Sequence, residues 1–402
     1  MTERIYYSDP TCCEFTATVL SSFVHDGRPA VTLDHTAFYP TSGGQPFDTG
    51  ALGGRRVIDV VDAGNRVVHV LDGALEEGQT VSGAIDWARR FDHMQQHTGQ
   101  HILSAAFDRL AGNPTVSFHL GADTCSIDLA NEASPADLAR AEDEANRVVW
   151  ADDAITIRFV TEDEAQRLAL RKESQRTGTL RLIDIPGFDL SACGGTHVAR
   201  TGQVGHIAIL GAEKFKGGSR VSFVCGARAV RAHRALQTAV TESVRVLSVL
   251  PSELPNAIAR LQGESKDQAK ALKTLRESLA TYEAQALLDG AALVNGVRLI
   301  VRAVAADAAS LKTMAGAMTA TGKAVVALFT ESTPSQVVVG RSADVTIDAG
   351  ATLKTLLSQY GGKGGGKADL AQGGGLTGDV RQMVWTASGL LEDELQRVDG
   401  IR

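Results

Sequence analysis

The chain has 402 residues, with 47 acidic and 40 basic side chains and a net charge of −7. That length is enough for two or three domains, each with its own core. The charge argues against a uniformly basic nucleic-acid-binding surface but leaves local basic patches open. Five scattered cysteines do not indicate a disulfide framework. Because we find no signal segment and no apolar run near the ~20 residues of a membrane span, we expect a cytoplasmic protein.

Residues 1–88 are predicted to form a small β-barrel. Short β-type runs such as Ala30–Leu33 and Arg66–Leu71 alternate with Gly and Asp-Gly turns. The stretch Ser42-Gly43-Gly44-Gln45 lies in this region. Taken alone, it indicates an ordinary hairpin turn.

Residues 89–228 are predicted to form an α+β domain with a zinc site. His97 and His101 are four residues apart before an apolar run, so a helix would place both imidazoles on one face. Cys193 and His197 flank two glycines, which favours a tight turn. Thiolate and imidazole are the usual ligands of Zn²⁺. Both pairs together therefore predict a zinc site made by His97, His101, Cys193 and His197.

The predicted zinc site could be hydrolytic or structural. A metalloprotease needs glutamate directly after the first histidine, and this chain has Thr98 there, which excludes that class. A structural zinc would use all four ligands, whereas hydrolysis needs an open position for water or substrate. The sequence leaves this choice open. His93, one helical turn before His97, is interpreted as a supporting or surface residue rather than a ligand.

Residues 229–293 are predicted to form a helical connector with a coiled-coil-like heptad. Its seam is Leu254, Ile258, Leu261, Ser265, Gln268, Leu272, Leu275, Leu279, Tyr282 and Ala286. The pattern fits a helical hairpin as well as an intermolecular coiled coil. A homodimer through this connector or the following domain is one assembly that it allows.

Residues 294–402 are predicted to form a C-terminal α/β domain. Strand-like runs such as Ala324–Phe329 alternate with helical stretches. Its segment Gly361–Gly375 is dense in glycine and includes Lys363 and Lys367. Such a segment could bring backbone N–H groups close to an anion, so we favour a binding loop over a linker. The overall prediction is an α+β protein built from these four parts.

Several motifs in the same order resemble the editing half of alanyl-tRNA synthetase and the freestanding AlaX-type editing proteins. They are the two ligand pairs, Ser42–Pro46 with Asp48-Thr49-Gly50, Thr201–Gly205 and Gly218–Val221. The glycine-rich segment resembles that of the synthetase's C-terminal domain. The resemblance thus runs over nearly the whole chain, which begins at the barrel rather than at an aminoacylation domain. It implies a long-form AlaX deacylase that cannot charge tRNA.

The resemblance implies hydrolysis of serine, with glycine as a second substrate, from tRNA specific for alanine. Zn²⁺ would be the cofactor and mischarged tRNA the partner. Gln45 would offer its amide to the substrate, and Thr98, Gln100 and Ser117 are candidates to contact it. Arg89, Arg90, Lys214, Lys216 and Arg220 are candidates for phosphate contacts.

Three alternative functions compete with this one. One is a noncatalytic tRNA-binding module that keeps a structural zinc, and another is a deacylase acting on a different aminoacyl ester. The third is a DHH-type phosphoesterase, whose C-terminal domain is of the same type. Its Asp-His-His signature is absent, the nearest string being Asp34-His35-Thr36, so this class is disfavoured.

Overall fold

A computed structural model of the protein describes residues 1–171 and 178–399. The chain divides into two compact units, Met1–Val246 and Leu247–Arg402. In the part of the chain that is described, no helix is both long and apolar enough to cross a membrane. The four-part division at residues 88, 228 and 293 stays a prediction.

The first unit begins with a closed six-stranded barrel, which confirms the predicted β-barrel. The elements up to its end are β1 (Glu3–Arg4), α1 (Ile5–Ser8), β2 (Glu14–His25), β3 (Arg28–Leu33), β4 (His35–Thr36), β5 (Gly50–Leu52), β6 (Arg55–Asp62), β7 (Val67–Leu71) and β8 (Thr80–Ile85). The barrel order is β2-β3-β7-β6-β5-β8. Alternating apolar side chains, including Val19, Leu33, Val57 and Leu71, fill its interior.

The rest of the first unit is a mixed α+β layer. Its elements are α2 (Trp87–Ala111), β9 (Thr115–Leu120), β10 (Cys125–Leu129), α3 (Pro135–Ala151), β11 (Thr156–Val160), α4 (Glu162–Ala165), β12 (Leu180–Ile185), β13 (Asp189–Ala192), β14 (Ile207–Phe215), β15 (Gly218–Cys225) and α5 (Gly226–Leu247). The sheet β14-β15-β10-β9 packs its apolar face on α2 and α3. A second sheet, β11-β12-β13, leads into the loop that carries Cys193 and His197.

Helix α2 is the central element of the first unit. The Asp86 side chain caps its start by accepting from the Arg89 N–H, and Gly112 ends it in the left-handed conformation. Arg90, fully buried, forms an ion pair with buried Asp48 and also donates to the carbonyls of Pro10 and Ala37. These bonds fix the barrel against the start of α2. Arg90 is therefore a structural residue and not a phosphate contact.

The second unit has a six-stranded mixed sheet of order β16-β17-β18-β19-β21-β20. Its elements are α6 (Leu254–Asp289), β16 (Ala292–Val294), β17 (Val297–Val304), α7 (Ala308–Ala320), β18 (Ala324–Thr330), β19 (Ser335–Arg341), α8 (Ala349–Tyr360), β20 (Lys363–Gly366), β21 (Leu370–Leu376) and α9 (Val380–Asp399). Helices cover both faces of the sheet. The glycine-rich segment differs from the expected loop, because its two halves pair as the antiparallel strands β20 and β21.

Helix α6 buries a different face from the predicted heptad seam. Ala280, Ala284 and Leu288 pack in one core cluster with α7 and the sheet. The seam residues Leu275 and Tyr282 are instead 67% and 78% exposed. Small alanines allow α7 to approach closely, and this packing decides which face is covered. The exposed seam leaves the homodimer as a prediction.

Candidate metal centre

The structure brings the four predicted ligands together, although the two pairs are about a hundred residues apart. One ligand atom from each of His97, His101, Cys193 and His197 lies within 4.8 Å of the others. Helix α2 carries the first two, as predicted, and the loop after β13 carries the others. The Cys193 Sγ atom is 3.3 Å from Nε2 of His97 and 3.3 Å from Nε2 of His197.

These separations fit a tetrahedral zinc site. With Zn–N bonds of about 2.0–2.1 Å and Zn–S of about 2.3 Å, ligand atoms at tetrahedral angles are roughly 3.3–3.7 Å apart. Three imidazoles and one thiolate are also a donor set that zinc prefers. The residues present therefore fit the ion that the sequence predicts.

Each of the three histidines is held through its outer ring nitrogen by a different partner. Nδ1 of His97 is 2.9 Å from the Gln45 Oε1, and Nδ1 of His101 is 2.9 Å from an Asp189 carboxylate oxygen. Nδ1 of His197 is 3.1 Å from the Thr98 hydroxyl. With the proton held on Nδ1, each ring presents the lone pair of Nε2 to the centre of the cluster.

Electrostatics favour the metal-binding form of the cysteine. Burial opposes ionisation of Cys193, but the nearby imidazole of His97 and the hydrogen bond from His101 hold the pKa of its thiol well below its ordinary value. The thiolate is the form that binds metal. Burial also lowers the pKa of His197 to about 3, so that this imidazole is neutral.

His101 and Asp189 form a charge-assisted pair in the absence of metal. Burial opposes protonation of His101, but its hydrogen bond to Asp189 raises the His101 pKa to about 9. Asp189 is buried as well, and its bonds to His101 and Arg171 hold its own pKa well below the usual range. A permanent negative charge thus lies behind this one ligand.

The loop that carries Cys193 needs glycine at one position. A Cβ atom on Gly195 would overlap Cε1 of His97, at a separation that real Cβ contacts do not show. The carbonyls of Cys193 and Gly195 both accept hydrogen bonds from buried Arg181. The loop is therefore fixed against the histidines by shape and by hydrogen bonds.

Gln45 and Thr98 orient the cluster rather than facing outward. Gln45 is fully buried; its Oε1 accepts from His97 and from the Thr196 N–H, and its Nε2 donates to the Thr196 hydroxyl. The Thr98 hydroxyl accepts from the Val198 N–H in addition to its bond with His197. Gln45 is predicted to offer its amide to the substrate. In the structure both amide atoms instead form hydrogen bonds that connect His97 to the Cys193 loop.

Gln100 lies on the same face of α2 as His97 and His101. Its Nε2 donates to the Ser104 hydroxyl at 2.9 Å. This bond uses the amide nitrogen and leaves the Oε1 atom to accept from another donor. This oxygen remains a candidate contact for a substrate hydroxyl.

Ser117 lies on the wrong side of its strand for the predicted contact. It pairs with Asp128 on β10, and both side chains lie on the face that carries Arg220. Alternation places Phe118 on the opposite face, 5.5 Å from the His97 ring and against Gly44. The expectation for Ser117 is corrected, and Phe118 is the residue of this strand that borders the cluster.

Three residues of the site were missed by sequence reasoning: Phe118, Asp189 and Thr196. Asp189 lies four residues before Cys193, and a carboxylate near a ligand motif is the one signal that could have indicated it.

Two of the candidate phosphate contacts have acidic partners: Lys214 with Glu132, and Arg220 with Asp128. Their charge is thus already neutralised.

Comparisons with known proteins place this barrel and this ligand cluster beside one class of protein, the aminoacyl-tRNA synthetases. Residues 180–222 match the family of the threonyl and alanyl tRNA synthetase second additional domain. Residues 11–89 match the class II (A) tRNA synthetases, and residues 296–393 match the DHHA1 domain.

Curated relatives match over most of this chain. An alanine–tRNA ligase of Methanoculleus marisnigri is 37% identical over 93% of this chain and 41% of its own length. That of Pyrococcus abyssi is 33% identical over 92% of this chain and 42% of its own length. The chain thus spans less than half the length of these relatives. The crystal structure of the C-Ala domain from Aquifex aeolicus alanyl-tRNA synthetase matches at 25% identity, over 26% of this chain and 96% of that chain, with a TM-score of 0.23.

Over 93% of its length the chain is alanyl-tRNA synthetase-like, as its motifs predicted. It matches the second additional domain and the DHHA1 domain in separate regions.

Proposed function

We propose that this protein is a zinc-dependent trans-editing hydrolase of the long AlaX class, which removes serine, and also glycine, from mischarged alanine tRNA. The observation that carries the proposal is the convergence of three imidazole Nε2 atoms and the Cys193 thiolate at one point. This arrangement occurs in a chain related to alanyl-tRNA synthetases. The partner would be tRNA, and the protein would act in the cytoplasm.

The reaction is hydrolysis of an ester between an amino acid and a ribose hydroxyl of the tRNA end. A water oxygen forms a bond to the ester carbonyl carbon, the carbon–oxygen bond to ribose breaks, and the ribose oxygen takes up a proton. A zinc ion, when bound, would supply polarisation of the carbonyl or a more acidic water. The ligands we assign to it are His97, His101, Cys193 and His197.

The surrounding residues keep these ligands in place before substrate arrives. Gln45, Asp189 and Thr98 hold the three imidazoles, and Gly195 lets the loop approach His97. Preorganised groups need no rearrangement during the reaction, so they lower its barrier. Phe118 and the Gly43-Gly44 loop border the same point and would exclude bulk water.

Selection of serine requires a polar group that the alanine ester cannot satisfy. We assign this to Oε1 of Gln100, which would accept a hydrogen bond from the serine hydroxyl. An acceptor that the bound substrate covers and that alanine leaves unpaired costs about 1–3 kcal/mol, which favours serine over alanine by about 10–100-fold. The glycine ester would fit because it is smaller than the serine ester, and it would not form this hydrogen bond.

The competing function is a tRNA-binding module with a purely structural zinc. The closeness of all four donors favours it, because four protein ligands close a tetrahedral shell. The two functions differ in one respect that can be measured: only the hydrolase turns over an ester. A deacylase for another aminoacyl ester would differ in substrate alone.

The test is hydrolysis of Ser-tRNA specific for alanine by the zinc-loaded full-length chain. We expect loss of the serine ester, with at least about a hundredfold slower loss in Cys193→Ala. Cys12→Ala is the matched control, because Cys12 lies outside the cluster and should leave the rate unchanged. No hydrolysis by metal-replete protein would refute the proposal and favour the binding module. An ATP-dependent charging assay of the same preparation tests the expectation of no aminoacylation.

A further inference from the structure

A pocket of about 540 Å³ lies between the barrel loop at Pro46 and helices α2 and α5, in the first turns of the helix that carries His97 and His101. We call it the arginine pocket, because its walls carry Arg89, Arg228 and Arg231 against a single acidic residue, Asp92. In a chain of net charge −7, this is a local excess of positive charge. Such an excess is the electrostatic feature expected of an anion site.

Two of the three arginines have no acidic partner in the part of the chain that the structure describes. Arg228 is neutralised by Asp92, at 2.7 Å, and also donates to the carbonyl of Gly121. Arg89 donates from Nε to the carbonyl of Phe47. Over the described ranges 1–171 and 178–399, no carboxylate forms a salt bridge with Arg89 or Arg231. Both charges are therefore available to an anion.

His93 gives the second, independent indication of a ligand. The residue is 3% exposed and lines the pocket, and among the described residues its buried Nδ1 has no hydrogen-bond partner. An unsatisfied buried polar atom ordinarily costs about 1–3 kcal/mol, so an imidazole that serves only packing would be a poor choice here. An oxyanion in the pocket would give it a partner.

The pocket shares helix α2 with the proposed reaction site. His93 is one helical turn, about 6 Å of rise, before His97 on α2. Pro46 in the pocket wall directly follows Gln45, which holds His97. An anion bound at His93 would therefore lie about one helical turn along α2 from the first metal ligand.

We propose that the arginine pocket binds a backbone phosphate near the acceptor end of the tRNA substrate, through Arg89, Arg231 and His93. This inference rests on the proposed function and adds to it a docking point that contains none of the metal ligands. It also explains how an acidic protein could hold a polyanion, because the charge that matters is local.

Binding of an unacylated RNA hairpin with the sequence of the alanine tRNA acceptor stem tests this directly. The zinc-loaded full-length chain is titrated at several salt concentrations with fluorescence anisotropy as the readout. For Arg231→Gln we expect about 5–10-fold weaker binding and a salt slope reduced by about 0.9, the value for one phosphate contact. The matched control is Arg245→Gln, because Arg245 lies on the same helix, about 21 Å of rise further along.

A second variant separates binding from folding. His93→Leu removes the unpartnered nitrogen, so we expect an unchanged or higher melting temperature together with weaker RNA binding. RNA affinities equal to wild type in both Arg231→Gln and His93→Leu would overturn the inference. Inorganic phosphate that binds through Arg231 as tightly as the RNA would assign the pocket to a free phosphate instead, and would also overturn it.

The hydrolysis assay distinguishes failure of this inference from failure of the proposed function. If both hold, Arg231→Gln raises KM for the serine ester of tRNA and leaves kcat unchanged. Binding that depends on Arg231 without any ester hydrolysis would refute the proposed function alone. Hydrolysis with RNA binding that is independent of Arg231 would refute the pocket alone.

Discussion

Asp189 is expected to set the zinc affinity of the cluster from outside it. Its carboxylate is fully buried and accepts from Nδ1 of His101 at 2.9 Å, from Arg171 at 2.6 Å and from Ser191. Asp189→Asn keeps the shape and an acceptor oxygen but removes the negative charge. Loss of such a partner weakens metal binding by about 10–100-fold, or roughly 1.4–2.7 kcal/mol.

The assay is competition for zinc between the protein and a chromophoric chelator at constant pH. Removing Asp189 also deprives Arg171 of its anion, so general destabilisation must be separated from the effect on His101. Arg171→Met provides that control, because it breaks the same buried ion pair and keeps the bond from Asp189 to His101. Zinc affinity equal to wild type in Asp189→Asn, or weakened as much in Arg171→Met, would refute the reasoning.

Three further predictions concern single residues. Gly195→Ala should weaken zinc binding at least about tenfold in the chelator assay, because its Cβ would overlap His97, whereas Gly211→Ala, with open space around it, should not. Gln100→Met should lower kcat/KM for the serine ester by about 10–100-fold and that for the alanine ester by less. Burial lowers the pKa of His69 in the barrel to about 4, so only the unfolded chain takes up this proton between pH 6.5 and 4. As the pH is lowered from 6.5 to 4, the free energy of unfolding should therefore decrease by up to about 3 kcal/mol more in wild type than in His69→Leu, as measured by urea titration.

Each of these has a contrary result. Equal zinc affinity in the two glycine variants would mean that the Cys193 loop can shift without cost. An unchanged ratio of serine to alanine rates in Gln100→Met would place serine recognition elsewhere. Parallel pH profiles for wild type and His69→Leu would show that the barrel admits a proton when folded.

The ligand pairs could be predicted because their chemistry is local. Residues four apart on a helix share a face whatever the rest of the fold does, and glycines beside Cys193 require a turn. The groups that orient the ligands could not be found in this way. Gln45 and Asp189 reach His97 and His101 across 52 and 88 residues, and only the packing of barrel and sheet on α2 brings them there.

Expectations that depended on the choice of a face were less successful. Ser117 and Phe118 are equally plausible from sequence, and the pairing of β9 with β10 decides which of them meets His97. On α6, the leucines at heptad spacing predicted the buried face. Close packing with α7 instead buries the face that carries Ala280 and Ala284. The glycine-rich segment was predicted to be a loop because glycine is conformationally flexible. In the structure its two halves pair as antiparallel strands, which gives it a regular conformation.

The most direct test of the account is the ratio of two rates on one tRNA. Zinc-loaded full-length protein is mixed in excess with alanine-specific tRNA that carries either serine or alanine, and the loss of each ester is followed over a single turnover. We predict that serine is removed at least about ten times faster than alanine, because only serine can donate to Gln100. Equal rates for both esters, or no loss of either, would contradict the account.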